Sequence, residues 1–379
     1  MTGPVLIVEP NMSGHRPYYV RLLIDGAIKR GHRVVVASRP QQFESEDAQI
    51  HLGEIFDQFE RIVLNDGTPA RVAQLSKELR VDHTVVPDGD RFAARLGLTA
   101  GWSGAGALSI LIMRETAQPG GLPGAQAAKS AIRNLLFRRA DSFRNVRVAV
   151  LKSAWWTGIS TFPVVPDPIT LRPSPLAEER LTAEWGLDPD RYWFAILGAI
   201  SRRKNVDLVA RALSELDASR VGLVVAGAWD ESVSDETASD LDRLKAVGMP
   251  VVVINRTLQD DELDAAVSRV DCLILAHSNE GPSGLLGKAA VAGTRVVAAG
   301  ATSLSEDLQN LPGIGSWVEM RQSELSQAFG EAAKAERPGP RWGQEPGAFA
   351  GALLNRWSGS VSHGSPPIDE GGSIREGNV

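Results

Sequence analysis

The chain has 379 residues, 43% of them hydrophobic, which is enough for two domains that each bury a core. Forty Lys and Arg against 46 Asp and Glu leave a formal charge of −6, which argues against general nucleic-acid binding, because that needs a basic face. A single cysteine, Cys272, excludes a disulfide framework and fits a reducing compartment.

The N-terminal "MTGPVLIVEP" has no basic leader region, and its apolar run is short for a signal peptide. No apolar run reaches the eighteen or so residues of a membrane span. The expected location is the cytoplasm. From here short apolar runs alternate with helical patterns. Strands are predicted at 4–10, 32–38, 61–64, 83–87 and 108–113, with "YYVRLLIDGAIKR" and "PARVAQLSKELR" as helices between them. "VRVAVLKSAWW" (146–156) reads as the last strand of this half. "TFPVVPDPITLRPSP" follows, and its five prolines make it the hinge candidate. The alternation restarts with strands at 192–200, 221–229, 249–255, 272–278 and 294–300. Helices are predicted at 205–217, 235–246, 259–268 and 284–292. Cys272, inside the run "DCLILAH", reads as a core thiol. A last helix is predicted at about 347–357, and the Gly-, Ser- and Pro-rich tail at 358–379 is expected to be disordered.

Unbroken apolar strands separated by helices imply parallel sheets covered on both faces. The expected architecture is α/β, with two doubly wound Rossmann-like domains facing across a cleft. Residues 1–165 would form the first domain and 170–335 the second, with a helix at about 345–357 packing back on the first. Such sheets bind ligands beyond the carboxyl ends of their strands.

Three loops of the second half follow strands and point to one crevice. In "LGAISRRKNVDLVARAL" (197–213), Arg202, Arg203 and Lys204 stand just before a helix. Three cations there suit an anion, because free amides and the helix dipole add to the positive potential. A solvated basic turn is the plain alternative. In "VVVINRTLQDDELDAAV" (251–267), Arg256 and Thr257 lie just past a strand, placed to meet a base or ribose. An ordinary strand–helix connection explains them equally well. In "EGPSGLLGKAAVAG", small residues precede a helix, so the amides of Ser283, Gly284 and Leu285 could face a phosphate. Glu280 would accept hydroxyl hydrogen bonds beside them. Lys288, one turn in, is near enough to lean back, and Gly293 is placed to stop the helix.

In the first half, "EPNMSGHRPYY" (9–19) puts Ser13, Gly14, His15 and Arg16 after the first strand. Asp88, Asp90 and Arg114 also follow strands and are candidate acceptor-side groups. The six histidines show no metal-ligand spacing, so no metal is expected.

The order of these motifs resembles that of retaining nucleotide-sugar glycosyltransferases of the GT-B fold, specifically glycosyltransferase family 4. The likeness is clearest over roughly 192–310. "GAISRRKNVDLVARAL" resembles the family's phosphate-binding segment. "LQDDELDAAVSRVDCLILAHSNEGPSGLLGKAAVAGTRVVAAG" resembles the segment carrying its E-x7-E motif. "SGHRPYYVRLL" resembles the first loop and helix more weakly.

The resemblance implies a hexosyltransferase-type enzyme that moves a sugar from a nucleoside diphosphate of UDP or GDP type to a hydroxyl, with retention and no further cofactor. Lys204 matches the lysine on the donor diphosphate, and Glu280 the glutamate that holds sugar hydroxyls. Ser283, Gly284 and Leu285 match the loop whose amides meet phosphate and sugar. Arg256 and Thr257 fall where the nucleotide base is met, and Gly14 near the diphosphate. His15 joins Lys204 and Glu280 as a catalytic candidate. Two positions depart from the pattern. Ala199 replaces an arginine, which leaves the phosphate charge to Arg202 or Arg203 with Lys204. Lys288 replaces the second glutamate and, having donors only, does not copy a carboxylate. A non-transferring nucleotide-sugar binder and a UDP-sugar epimerase-like isomerase are the alternatives. The basic stretch 129–147, with Ile132, Leu135, Leu136 and Phe143 at helical spacing, admits a weak contact with anionic lipid, against the plainer reading of a solvated helix whose apolar side is in the core.

Overall fold

The computed structural model describes residues 3–14, 16–115, 123–172, 174–231, 233, 235–281, 283–341 and 346–355. The first half runs β1 (Val5–Val8), α1 (Arg16–Lys29), β2 (Val34–Ser38), α2 (Glu46–Leu52), β3 (Glu60–Val63) and α3 (Pro69–Glu78). It continues through β4 (His83–Val86), α4 (Asp90–Gly97), β5 (Ala107–Ile112), α5 (Pro123–Asp141), β6 (Val146–Lys152) and β7 (Val164–Pro166). The second half runs α6 (Pro175–Trp185), β8 (Tyr192–Leu197), α7 (Val206–Leu213), β9 (Val221–Ala226), α8 (Asp235–Ala246), β10 (Val251–Ile254) and α9 (Asp260–Arg269). It ends with β11 (Cys272–His277), α10 (Gly284–Ala292), β12 (Arg295–Gly300), α11 (Thr302–Gln309), β13 (Gly315–Val318), α12 (Gln322–Ala332) and α13 (Pro346–Leu354).

These strands form two sheets, ordered β3-β2-β1-β4-β5-β6-β7 and β10-β9-β8-β11-β12-β13. Every pairing is parallel. The protein is therefore α/β with two doubly wound sheets. Alternation within each strand divides the cores. Val5 and Ile7 pack with α1 and α13, whereas Leu6 and Val8 pack with α3, α4 and α5 on the other face. In the second sheet Phe194 and Ile196 join α7 and α12, and Trp193, Ala195 and Leu197 join α6, α9 and α10. Cys272 is fully buried, and burial pushes its thiol up to about 12.

Two strands lie outside the sequence expectations, and both are sheet edges. β7 takes up the start of the proline-rich hinge candidate, and the rest of that stretch leads on to α6. Proline lacks a ladder donor, but an edge strand of three residues tolerates it, and Val164 still pairs with Val150. β13, "GSWV", is short and only partly buried, so its apolar signal is weak. The helices α2, α4, α6, α11 and α12 are also additions. The basic stretch 129–147 is not one helix. α5 ends at Asp141, whose carboxylate accepts from Val148 N at 2.8 Å, and β6 follows.

Helix α13 returns to the first sheet. Phe349 is fully buried and stacks on Tyr19 of α1 with ring centroids 5.0 Å apart. Gly26 permits this approach, since a Cβ there would lie 2.6 Å from the Ala350 Cβ. The predicted tail at 358–379 is outside the described residues. No helix among the described residues is long and apolar enough to cross a membrane.

Candidate functional site

Each sheet has one place where strands diverge to opposite sides, and crevices for ligands open there. In the second sheet it lies between β8 and β11. Beyond Leu197 the backbone turns left-handed at Gly198 (φ 77°), then forms one tight helical turn, Arg202–Lys204. Asn205 ends that turn at φ 47° and ties it to the exit of β11: its side-chain Nδ2 donates to Ala276 O and Ser278 Oγ, each at 2.8 Å. Ser278 N donates to Arg203 O at 2.9 Å.

This clamp seats Lys204 in the crevice. Its side chain is 4% exposed and its ammonium donates to Leu197 O. Burial pushes the Lys204 pKa down to about 7, and Arg203 adds to the shift. His277, at the end of β11, stands beside it. Burial, then Lys204 and Arg203, hold His277 down at about 3, so the ring is neutral near pH 7. Its Nε2 is buried and meets no hydrogen-bonding partner among the described residues. A buried cation and an unsatisfied ring nitrogen are both costly without a ligand. Arg203 donates to Asn279 Oδ1 at 3.3 Å, and Arg202 is exposed on the same turn.

The third loop lies alongside. Ser283 is the N-cap of α10, its Oγ accepting from Leu286 N at 3.3 Å. Gly284 and Leu285 occupy the first turn, whose amides have no partner within the helix. Glu280 is turned away from this turn. Its carboxylate accepts from Thr302 N (2.9 Å), Thr302 Oγ1 (3.1 Å) and Ser303 N (2.9 Å), capping α11 and lying below the usual glutamate range. Lys288 does not lean toward the loop. Its ammonium is shared between Asp264 of α9 and Thr170 O, because Asp264 is buried and draws the nearest cation. Arg256 makes two 2.6 Å bonds to Glu262 and lines a cavity of about 360 Å3 between α6 and α9, with Leu181 and Gln259. That cavity is walled by α6 and α9, not by the β8–β11 loops. Thr257 reaches Glu46 of α2 at 3.1 Å, across to the first half of the chain.

In the first sheet the strands diverge between β1 and β4. Gly14 is left-handed (φ 64°) and its amide donates to Asp47 at 2.7 Å. His15 lies outside the described residues. Asp88 is paired with Arg16 at 2.6 Å, and Asp90 with Arg133. Burial raises Asp90 despite that cation. The unanticipated group is Glu9, the last residue before the β1 loop. It is 2% exposed. One oxygen accepts from Asn11 N at 3.0 Å, and the other has no partner among the described residues. Burial, then Asp88, pushes Glu9 up to about 8. Glu9 and His277 share a signal visible in sequence: a titratable residue closing an unbroken apolar strand.

Arg114, just past β5, reaches the second half. A Cβ on Gly281 would lie 3.8 Å from its Nε, and burial, then the Arg114 charge, lowers Arg203.

Comparison of the sequence with known families and with curated proteins finds no match. Comparison of the structure finds strong likeness at low identity. WaaG, a glycosyltransferase involved in lipopolysaccharide biosynthesis, shares 16% identity at a TM-score of 0.62, over 92% of this chain and 93% of that one. HepE of Anabaena, solved with UDP-glucose, shares 12% at 0.62, over 93% and 95%. The fold is GT-B. A candidate UDP-N-acetylglucosamine 2-epimerase from Listeria monocytogenes has similar architecture, at 13% and 0.57 over 93% and 95%. Glu9, Asp88 and Asp90 thus edge the crevice of the first sheet, and Arg202, Arg203 and Lys204 that of the second. Contacts such as Tyr18–Thr170 (2.8 Å) and His51–Asp260 (3.1 Å) join the two halves.

Proposed function

We propose that this protein transfers a sugar from a nucleoside diphosphate sugar to a hydroxyl acceptor, as a hexosyltransferase of the family-4 type, with retention at the anomeric carbon. Residues 170–335 take the donor and residues 1–165 face the acceptor. One observation carries the reading: the buried Lys204 stands beside the unpartnered His277 where β8 and β11 diverge. Among the described residues Lys204 has no carboxylate partner and the His277 Nε2 no hydrogen-bond partner.

In this scheme the diphosphate sits on Lys204, Arg202, Arg203 and the amides of Ser283, Gly284 and Leu285. As the glycosidic bond breaks, charge builds on the β-phosphate, and donors already aimed there stabilise it without reorganising. The acceptor oxygen bonds to the anomeric carbon on the face the diphosphate leaves, and the departing phosphate takes the acceptor proton. Glu280, by capping α11, holds the loop that meets the sugar, Gly14 closes the facing wall, and Arg256 and Thr257 flank the nucleotide. Lys288, tied to Asp264, supports α10 rather than the ribose. Asp88 and Asp90 border the acceptor crevice. The exposed α5 face is proposed as a weak contact with anionic lipid.

The reading is tested by thermal shift with UDP, GDP, ADP and TDP. A ligand at a hundred times its Kd adds about 2.7 kcal/mol to the folded state. We expect UDP or GDP to raise Tm, and Lys204→Ala to abolish the rise. Labelled donors then separate transfer from the second reading, an epimerase, which Glu9 and Asp88 at the acceptor crevice favour. No shift with any nucleotide would sink the proposal, as would unchanged transfer in both Lys204→Ala and Glu280→Ala.

A further inference from the structure

Arg114 belongs by sequence to the acceptor-side sheet, but its side chain is spent elsewhere. The segment that carries it is anchored on its own side: Arg133 donates to Arg114 O at 2.8 Å and pairs with Asp90, which accepts from Met113 N at 3.0 Å. From this fixed base the guanidinium extends to Gly281, in the loop before α10. Its Nη1 is buried and has no hydrogen-bonding partner among the described residues. Arg203 approaches the same loop from the other side, through Asn279.

The charges around this loop do not balance. Arg114, Arg203 and Lys204 have no ion pair with a carboxylate among the described residues. The nearest acid in sequence, Glu280, is occupied by α11. Burial and then the nearby Arg114 lower Arg203, so an anion bound between the two guanidinium groups would relieve their repulsion. Gly281 supplies room, since it has no side chain and is at φ 137°. The start of α10 supplies amides three residues on.

We propose that Arg114 is a ligand of the donor diphosphate, contributed by the opposite sheet, so that the bound anion is gripped from both halves of the molecule. This rests on the nucleotide-sugar reading above and moves Arg114 from the acceptor side to the donor side. The anion replaces repulsion between Arg114 and Arg203 with two attractions. The nucleoside part lies outside this grip.

The test uses the full chain and titration calorimetry with UDP, uridine and inorganic pyrophosphate. Arg114→Gln keeps a polar, hydrogen-bonding side chain, though a shorter one, and removes the charge. It is expected to weaken UDP and pyrophosphate by about 10- to 100-fold, the usual loss for one charge-assisted contact, and to leave uridine unchanged. The slope of log affinity against log salt should also become shallower. Arg114→Lys, which keeps the charge without the fork, should fall between. It also serves as the second variant if Arg114→Gln melts early without ligand. Wild-type affinity for UDP and pyrophosphate in both variants overturns the role of Arg114 alone. A wild-type protein that binds neither, and shows no thermal shift with GDP, overturns the nucleotide-sugar reading and this inference with it.

Discussion

Glu9 and Lys204 close or follow the first strand of their sheets, and burial shifts both toward their neutral forms. The signs differ. Glu9 is raised to about 8, so its stabilising contribution is full below its unfolded value near 4.5 and is lost as pH rises through 8. Asp167 and Asp307, each raised to about 6, act in the same direction over a lower window. Lys204 is depressed, so its contribution is present above 10.5 and lost as pH falls through 7. Comparing wild type with one variant isolates Glu9. Glu9→Gln should match wild type near pH 4.5 and exceed it at pH 8.5 by a margin on the order of a few kcal/mol. Urea unfolding at both pH values measures this. A difference that does not change with pH would mean that Glu9 ionises freely in the fold.

At the scale of elements, α10 is locally well specified. Ser283 caps it, and Gly293 at φ 65° ends it, where a Cβ would meet Pro338 O at 2.5 Å. Its face toward α9 is decided by Lys288, whose side chain is 17% exposed against 5% for Asp264. Removing one partner of a buried pair strands the other charge, at about 3–5 kcal/mol. Lys288→Met should show that loss in chemical denaturation. Adding Asp264→Asn should recover much of it, since neither charge then remains. Lys288→Glu, which restores the resembled motif, should destabilise more than Lys288→Met, because two acids then share the site. A Lys288→Met protein as stable as wild type would remove the pair from the stability account.

Across the whole molecule, α13 crosses back to α1, and polar contacts such as Thr257–Glu46 join the two sheets. The first half also presents a surface that its core does not explain. On α5, Phe137 and Ala140 are buried, but Ile132 is 61% and Leu135 67% exposed. Leu98, on the adjoining α4 end, is 71% exposed, and Lys129, Arg138 and Arg139 are exposed nearby. The expectation that this apolar side belongs to the core thus holds for only part of it. Basic residues around exposed apolar ones suit an anionic lipid surface. The protein should sediment with vesicles of anionic lipid at low salt and release at high salt. Ile132→Ser with Leu135→Ser should remove the binding. No sedimentation at low salt would remove the lipid contact.

The sequence by itself determined the two alternating α/β halves, most strand and helix positions, the caps of α10 and the loops that edge the second crevice. These rest on periodicity and on residues a few positions apart, which a linear pattern carries. The edge strands β7 and β13 escaped it, because short and partly exposed strands have little apolar signal. The tertiary structure alone decided where side chains spend their charge. Glu280 turned to α11, 22 residues on; Lys288 to Thr170, 118 residues back; and Arg114 crossed to Gly281. A charged group takes whichever partner folding brings within about 3 Å, and that proximity is a property of the packed chain, not of neighbours along it.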